Sequence, residues 1–359
     1  MEKRNGNIEC LRVLSMMMII ILHYLMQGGL LDRVLLSETN YYIVWIIEAL
    51  CYVSVNCYVL ISGYFLIDAS FKIKKVIFLI LEVVFYSVSI YLIFCIVGLQ
   101  EFQFVTLITG YLFPVIHGQY WFATVYIVLY LLFPFLNIFV KAMTKKQHIY
   151  CIIILGSVFS VIPSVFFFSG DVLGIDGGYS LCWFVFLYII SSYLRIYDFK
   201  KKKNSIYLAI YFIMLLITAT VKFIQQHLFH KDLWDLYHYN SITVLIASIT
   251  LFLFFLNKKE KHNLISNLCI KVGKTTFGIF LIHTHYLMRE WLWKELVKPL
   301  EHLGPDLLFY LIGCTVTIFL VCSVIDGLRA MLFYPISNNR KVNLIMDRIW
   351  VRFRTCIED

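Results

Sequence analysis

The feature that most constrains this chain is a series of apolar blocks of about twenty residues separated by short charged stretches. That is the length an α-helix needs to cross a hydrocarbon core of about 30 Å. The blocks fall near 11–29, 42–67, 75–97, 121–140, 149–168, 180–197, 205–224, 239–257, 272–290 and 307–334. They predict an all-α membrane protein, a polytopic bundle of about ten transmembrane helices forming one domain over residues 1–359, with the lipid bilayer as its first partner. Composition agrees, since 61% of residues are hydrophobic and 15% charged, against roughly half and a quarter in soluble domains. A shorter apolar stretch from Phe104 to Ile116 contains Gly110 and Pro114 and suits an interfacial or re-entrant piece better than a span.

The net charge of +9 does not point to nucleic acid, because the basic residues mark one side of a membrane. Lys3, Arg4 and Arg12 accompany the first block, Lys72, Lys74 and Lys75 follow the second, and Lys141, Lys145 and Lys146 follow the fourth. Arg195 and Lys200 to Lys203 follow the sixth, a lysine cluster from Lys258 to Lys274 precedes the ninth, and an arginine-rich tail from Arg329 to Arg354 ends the chain. The opposite loops hold few, among them Arg33, Lys222 and Arg289. Positive charge stays in the cytoplasm, so both termini are expected there. The cysteines lie mostly inside spans without paired spacing, so neither a disulfide framework nor a metal site is expected. The first block lacks an Ala-type cleavage site and is read as a span, not a removed leader.

Ionisable side chains inside spans are the sharpest chemical signal, because each costs several kcal/mol in hydrocarbon unless it faces a partner or a watery cavity. The first span holds Arg12 and His23. Eleven steps of a helix return to nearly the same face, so the two share one side and lie about 16 Å apart along the axis. Arg12 belongs near the cytoplasmic interface and His23 at or beyond mid-membrane. The alternative is a snorkelling arginine and a histidine merely packed on its neighbours. Glu48 is the other deeply placed ionisable residue on the outer side, able to orient His23, hold a substrate or sit at the interface. Glu82 reads as a helix–helix contact, and Ser62 with Gly63 as a close approach of two helices. Outer-loop His227, His230 and His238 lack a convincing ligand set for a metal.

Four stretches resemble motifs of the acyltransferase-3 family of membrane acyltransferases. NIECLRVLSMMMIIILHYLMQGG from Asn7 resembles the opening helix with its Arg and His, and VNCYVLISGYFL from Val55 the Ser-Gly-aromatic end of the second span. QYWFATVYIVLYLLFPFLN from Gln119 resembles the Trp-Phe span, and FGIFLIHTHYL from Phe277 the late Leu-Ile-His helix, in which His283 and not His285 matches. The resemblance covers the whole chain and is similar to the bacterial branch that decorates surface polysaccharides. It implies a membrane O-acyltransferase of the cell membrane, with acetyl-coenzyme A as donor and an extracytoplasmic polysaccharide or lipid-linked glycan as acceptor. Where many relatives carry an Arg-rich loop and Pro, this chain has FKIKKV with Lys72, Lys74 and Lys75, which attract phosphate as point charges but cannot grip it bidentately.

Acyl transfer from a thioester to a sugar hydroxyl needs a base or a transient acyl carrier. An imidazole with an ordinary pKa of about 6.5 can serve at neutral pH. His23 and Arg12 are therefore the candidate catalytic pair, Arg12 also facing the donor's phosphates together with Lys72, Lys74 and Lys75. Glu48, Tyr120, Trp121 and His283 are the candidate acceptor-binding residues, although an interfacial aromatic belt also accounts for Tyr120 and Trp121. No soluble hydrolase-like segment is expected after the last span, so the membrane unit would complete the transfer itself. The competing class is a flippase or transporter, which usually shows repeated span patterns or helices interrupted in matching halves. The sequence displays neither pattern.

Overall fold

The computed structural model describes residues 4–34, 38–166, 173–197, 202–231, 233–260, 263–340 and 344. Of the basic residues in the charge pattern, Lys3, Lys200, Lys201, Lys261, Lys341, Arg348, Arg352 and Arg354 lie outside them. Every regular element among the described residues is helical. Asn5 starts α1 (Gly6–Gln27) by accepting from the amides of Asn7 and Ile8, and Gly29 ends it at φ +79°, a backbone conformation open to glycine. Then follow α2 (Thr39–Cys51), α3 (Ser54–Leu66), α4 (Ile73–Ile96), α5 (Trp121–Ala142), α6 (Lys145–Gly156, prolonged by further turns to Val165) and α7 (Leu181–Ile196). The remainder are α8 (Asn204–Phe229), α9 (Ile242–Leu256), α10 (Leu264–Val272), α11 (Thr276–Thr284), α12 (Tyr286–Trp291) and α13 (Leu307–Ser337).

Seven helical stretches are long and apolar enough to cross a membrane, and α10 with α11 makes eight if that bent pair is one span. The protein is thus an all-α polytopic membrane protein. Two shorter apolar helices, α7 with 16 residues and α9 with 15, fall where the sixth and eighth blocks were expected. At about 1.5 Å per residue they are several Å short of a full hydrocarbon core. The stretch from Phe104 to Ile116 forms only short turns, Phe104–Thr106 and Leu107–Tyr111.

The ninth block differs from expectation. Instead of one helix over 272–290, the chain bends by 52° between α10 and α11 and turns again at His285. The cause is local: Gly273 packs so close to Glu9 that a Cβ there would lie 2.3 Å from the Glu9 carboxylate, while Thr275 and Thr276 turn their hydroxyls back onto the carbonyls of Val272 and Gly273. The two threonine hydroxyls bond the carbonyls at the break, as broken membrane helices require.

Burial sorts the helices. The apolar windows of α1 and of the α2–α3 span are 61% and 67% buried, those of the α6 and α8 spans 17% and 28%, so the former are interior and the latter face lipid. Polar side chains tie the interior together. Asn56 of α3 donates to the Tyr239 carbonyl and accepts from Trp183 Nε1 of α7. Gly63 lets α3 meet α7 where a Cβ would lie 2.1 Å from Ser191 Oγ, which accounts for the Ser-Gly pair as packing. Ser62 donates to the Tyr58 carbonyl. Glu82 of α4 pairs with Arg329 of α13 at 2.9 Å, and Arg329 in turn holds Asp326 at 2.7 Å.

Candidate active site

A cavity of about 410 Å³ follows α1 through the bundle. Arg12, Met16, Ile19, His23 and Gln27 line it from that helix, a distance on the order of 20 Å. Arg12 and His23 therefore share a face, as their spacing predicts, and that face borders empty space. The break between α2 and α3 brings Glu48, Tyr52, Val55 and Tyr58 to the same wall, and the second break, between α10 and α11, brings Lys274 and Thr276.

His23 is held by a histidine relay. Its Nδ1 lies 2.9 Å from His283 Nε2, and His283 Nδ1 lies 2.6 Å from the carbonyl of Ile279 one turn earlier in α11. A carbonyl only accepts, so His283 carries its proton on Nδ1 and its Nε2 accepts from His23 Nδ1–H. The chain of donors ends by leaving His23 Nε2 with a lone pair, on a side chain that lines the cavity. This is the arrangement of an oriented general base. His283 is completely buried behind it. Glu48 is not the group that orients His23, because Nδ1 is taken by His283.

At the N-terminal end of α1, Arg12 Nε stands 3.5 Å from Glu9 Oε2, which also receives Arg4 at 3.3 Å. Arg4, Arg12 and Lys274 line the cavity there. Lys72, Lys74 and Lys75 lie at the start of α4, Lys74 over Phe78 at 5.5 Å and Lys75 over Tyr130 at 5.9 Å. Lys75 is near enough to Arg4 and Lys72 for their charges to act on one another. The lysine loop thus flanks a basic entrance whose cavity-lining members include Arg4 and Lys274, two residues that motif reasoning does not single out.

Beyond His23 the wall changes character. Glu48 is 4% exposed and its Oε2 has no protein hydrogen-bond partner, nor do Gln27 Oε1 and the Tyr120 hydroxyl. All three residues line the cavity. Buried polar atoms are almost always satisfied, so three orphans facing one space point to a ligand or water that pairs with them. Tyr52, Tyr179 and Tyr239 lie within electrostatic reach of Glu48, and Trp121 stands 4.5 Å from Tyr179 and stacks on Tyr239 at 6.1 Å. Trp121 and Tyr120 are therefore interior cavity walls and not members of an outer belt. His227 lies in the last turn of α8, not in a loop, and bonds Tyr42 at 2.7 Å, while His238 pairs with Asp235 at 3.0 Å.

Residues 5–326 match the family model of an acyltransferase domain, that of the acyltransferase-3 family. No curated protein and no solved structure matches the chain. The match runs from the cap of α1 to Asp326 of α13 and takes in both histidines of the relay, Arg12 and Lys274 of the basic entrance, and the aromatic wall. This chain belongs to the acyltransferase-3 family of integral membrane acyltransferases.

Proposed function

We propose that the chain is an O-acetyltransferase that moves an acetyl group from cytoplasmic acetyl-coenzyme A to a hydroxyl of a surface glycan, or its lipid-linked precursor, on the far side of the membrane. The observation that carries this reading is the relay from Ile279 through His283 to His23, which leaves a free nitrogen on a cavity with a cationic entrance. Counting α7, α9 and the bent pair as spans gives about ten crossings with both termini in the cytoplasm. The entrance lined by Arg4, Arg12 and Lys274 then lies on the donor side, where its charges suit the phosphates of coenzyme A.

In this mechanism the acceptor hydroxyl sits against Glu48 and Gln27, whose orphan oxygens accept from its neighbouring hydroxyls, and against the ring faces of Trp121 and the tyrosines. A hydroxyl-rich acceptor supplies the donors those oxygens lack. His23 Nε2 takes the hydroxyl proton as the acceptor oxygen bonds to the thioester carbonyl carbon, and the carbonyl electron pair moves onto its oxygen. The tetrahedral intermediate collapses, the carbon–sulfur bond breaks, and the departing thiolate takes the proton back from His23. His283 is a positioning residue in this scheme, and not the acceptor contact that motif matching implies, because it holds His23 in the reactive tautomer.

The reading is tested by mass spectrometry of surface glycan from cells with and without the gene. Loss of O-acetyl groups on deletion, restored by the wild-type gene, is the expected result. Identical acetylation in both strains would sink the acceptor assignment.

A further inference from the structure

His285 turns the chain after α11 and fixes where α12 begins. Its Nδ1 accepts the Leu287 amide at 3.2 Å, its Nε2–H donates to the Ser87 carbonyl of α4 at 3.2 Å, and its own carbonyl accepts the Arg289 amide at 2.7 Å. Arg289 is thereby held in place one turn into α12. Its guanidinium lies 5.6 Å from the Tyr286 ring centre, and the side chain lines the cavity shared with His23. It is near enough for its charge to act on the His23 ring. The neighbouring Glu290 is taken by Lys294, and among the described residues Arg289 has no ion pair with a carboxylate.

A cation beside a base opposes protonation of that base, so the placement helps only if negative charge develops nearby during the reaction. Two sources exist, an anionic group on the acceptor or the oxyanion of acyl transfer. The orphan atoms of the acceptor wall include Gln27 Oε1, a hydrogen-bond acceptor that would oppose an anionic acceptor. Arg289 lines the same cavity as the His23 base, and its charge acts on that ring. We propose that Arg289 is a catalytic residue that stabilises the oxyanion formed when the acceptor oxygen, deprotonated by His23, adds to the acyl carbonyl. The proposal rests on the acyl-transfer reading given above. A guanidinium suits the task, since it stays charged and offers several donors in a fixed plane.

The test uses full-length protein in lipid nanodiscs, radiolabelled acetyl-coenzyme A, and glycan extracted from cells lacking the gene. Arg289→Gln should lower kcat roughly a hundred- to a thousandfold, as removal of one oxyanion donor does. Half-saturating concentrations of both substrates should stay within about threefold of wild type, the mark of an interaction made only in the transition state. Arg289→Lys should recover part of the rate, and it carries the test should the Gln variant fail to fold. An unchanged kcat overturns the proposal. So does a raised half-saturation for glycan at unchanged kcat, which would assign Arg289 to an anionic acceptor. Wild-type protein inactive in the same assay would count against the acyl-transfer reading, whereas active wild type with unaffected Arg289 variants defeats this inference alone.

Discussion

Replacing His283 separates two roles for that residue. In the structure its Nε2 accepts one hydrogen bond from His23 Nδ1–H and its Nδ1–H donates another to the Ile279 carbonyl. Its loss leaves the His23 ring free to turn and to carry its proton on Nε2, the nitrogen that must be empty. During the reaction the same bond supports an imidazolium, and hydrogen bonds to charged groups are worth about 1.5–3 kcal/mol. At about 1.4 kcal/mol per factor of ten, His283→Ala should lower kcat by roughly ten- to somewhat over a hundredfold. That is less than loss of the base itself. His283→Gln, whose amide oxygen can still accept from Nδ1–H, should recover part of the rate. Because the two histidines act as a unit, the double variant with His23→Ala should be no slower than His23→Ala alone. The assay is initial-rate acetylation in nanodiscs with both substrates varied. Wild-type kcat in a well-folded His283→Ala protein would refute the relay, and a raised glycan half-saturation at constant kcat would return His283 to the acceptor site.

Three further outcomes follow from the geometry. Arg12→Ala should raise the acetyl-coenzyme A concentration needed for half-maximal rate while sparing the maximal rate, with Arg12→Lys recovering little if the contact is bidentate; a donor titration of each variant checks this. Gly278→Ala would place a Cβ 2.0 Å from the Asp326 carboxylate, which is fixed by Arg329 and Tyr86, so thermal unfolding in detergent should show a loss of about 1–3 kcal/mol. The Asp235 hydrogen bond, aided by the charges of Asp235 and Asp176 against desolvation, holds His238, in the loop between α8 and α9, above the usual imidazole range. That contact is complete below about pH 6.5 and is lost as pH rises through the raised folded value. Hydrogen exchange of residues 233–241, corrected for intrinsic rates, should therefore increase modestly from pH 6 to about 8.5 in the wild type and not in His238→Asn, the exposure of both partners keeping the effect small.

How much of this was legible in sequence depends on range. Arg12 and His23 stand out because a charge in hydrocarbon demands a reason, and helical periodicity alone places them on one face. Glu48 stands out on the same grounds; Tyr120 and Trp121 are candidates only as rings able to stack on a sugar, which an interfacial belt explains equally well from sequence, and the contacts of Trp121 with Tyr179 and Tyr239 place it inside. The partner of His23 was not visible, since 260 residues separate it from His283 and no local pattern reports that contact. The broken ninth span was hidden because glycine is ordinary in membrane helices, and only the approach of Glu9 reveals why Gly273 sits there. Arg289, Gln27 and Lys274 lie near span ends, where polar side chains are expected without function. Glu82 was read as a helix–helix contact from its place in a span, but its ion pair with Arg329 had no signature.

The central claim is that His23 is the base of the transfer, and one variant addresses it most directly. His23→Ala protein, monodisperse in detergent at normal yield and reconstituted in nanodiscs, should bind acetyl-coenzyme A with wild-type affinity by calorimetry. Its maximal rate of glycan acetylation should fall by roughly two to four orders of magnitude, as loss of a general base does. A folded His23→Ala protein that acetylates glycan at the wild-type rate would contradict the account.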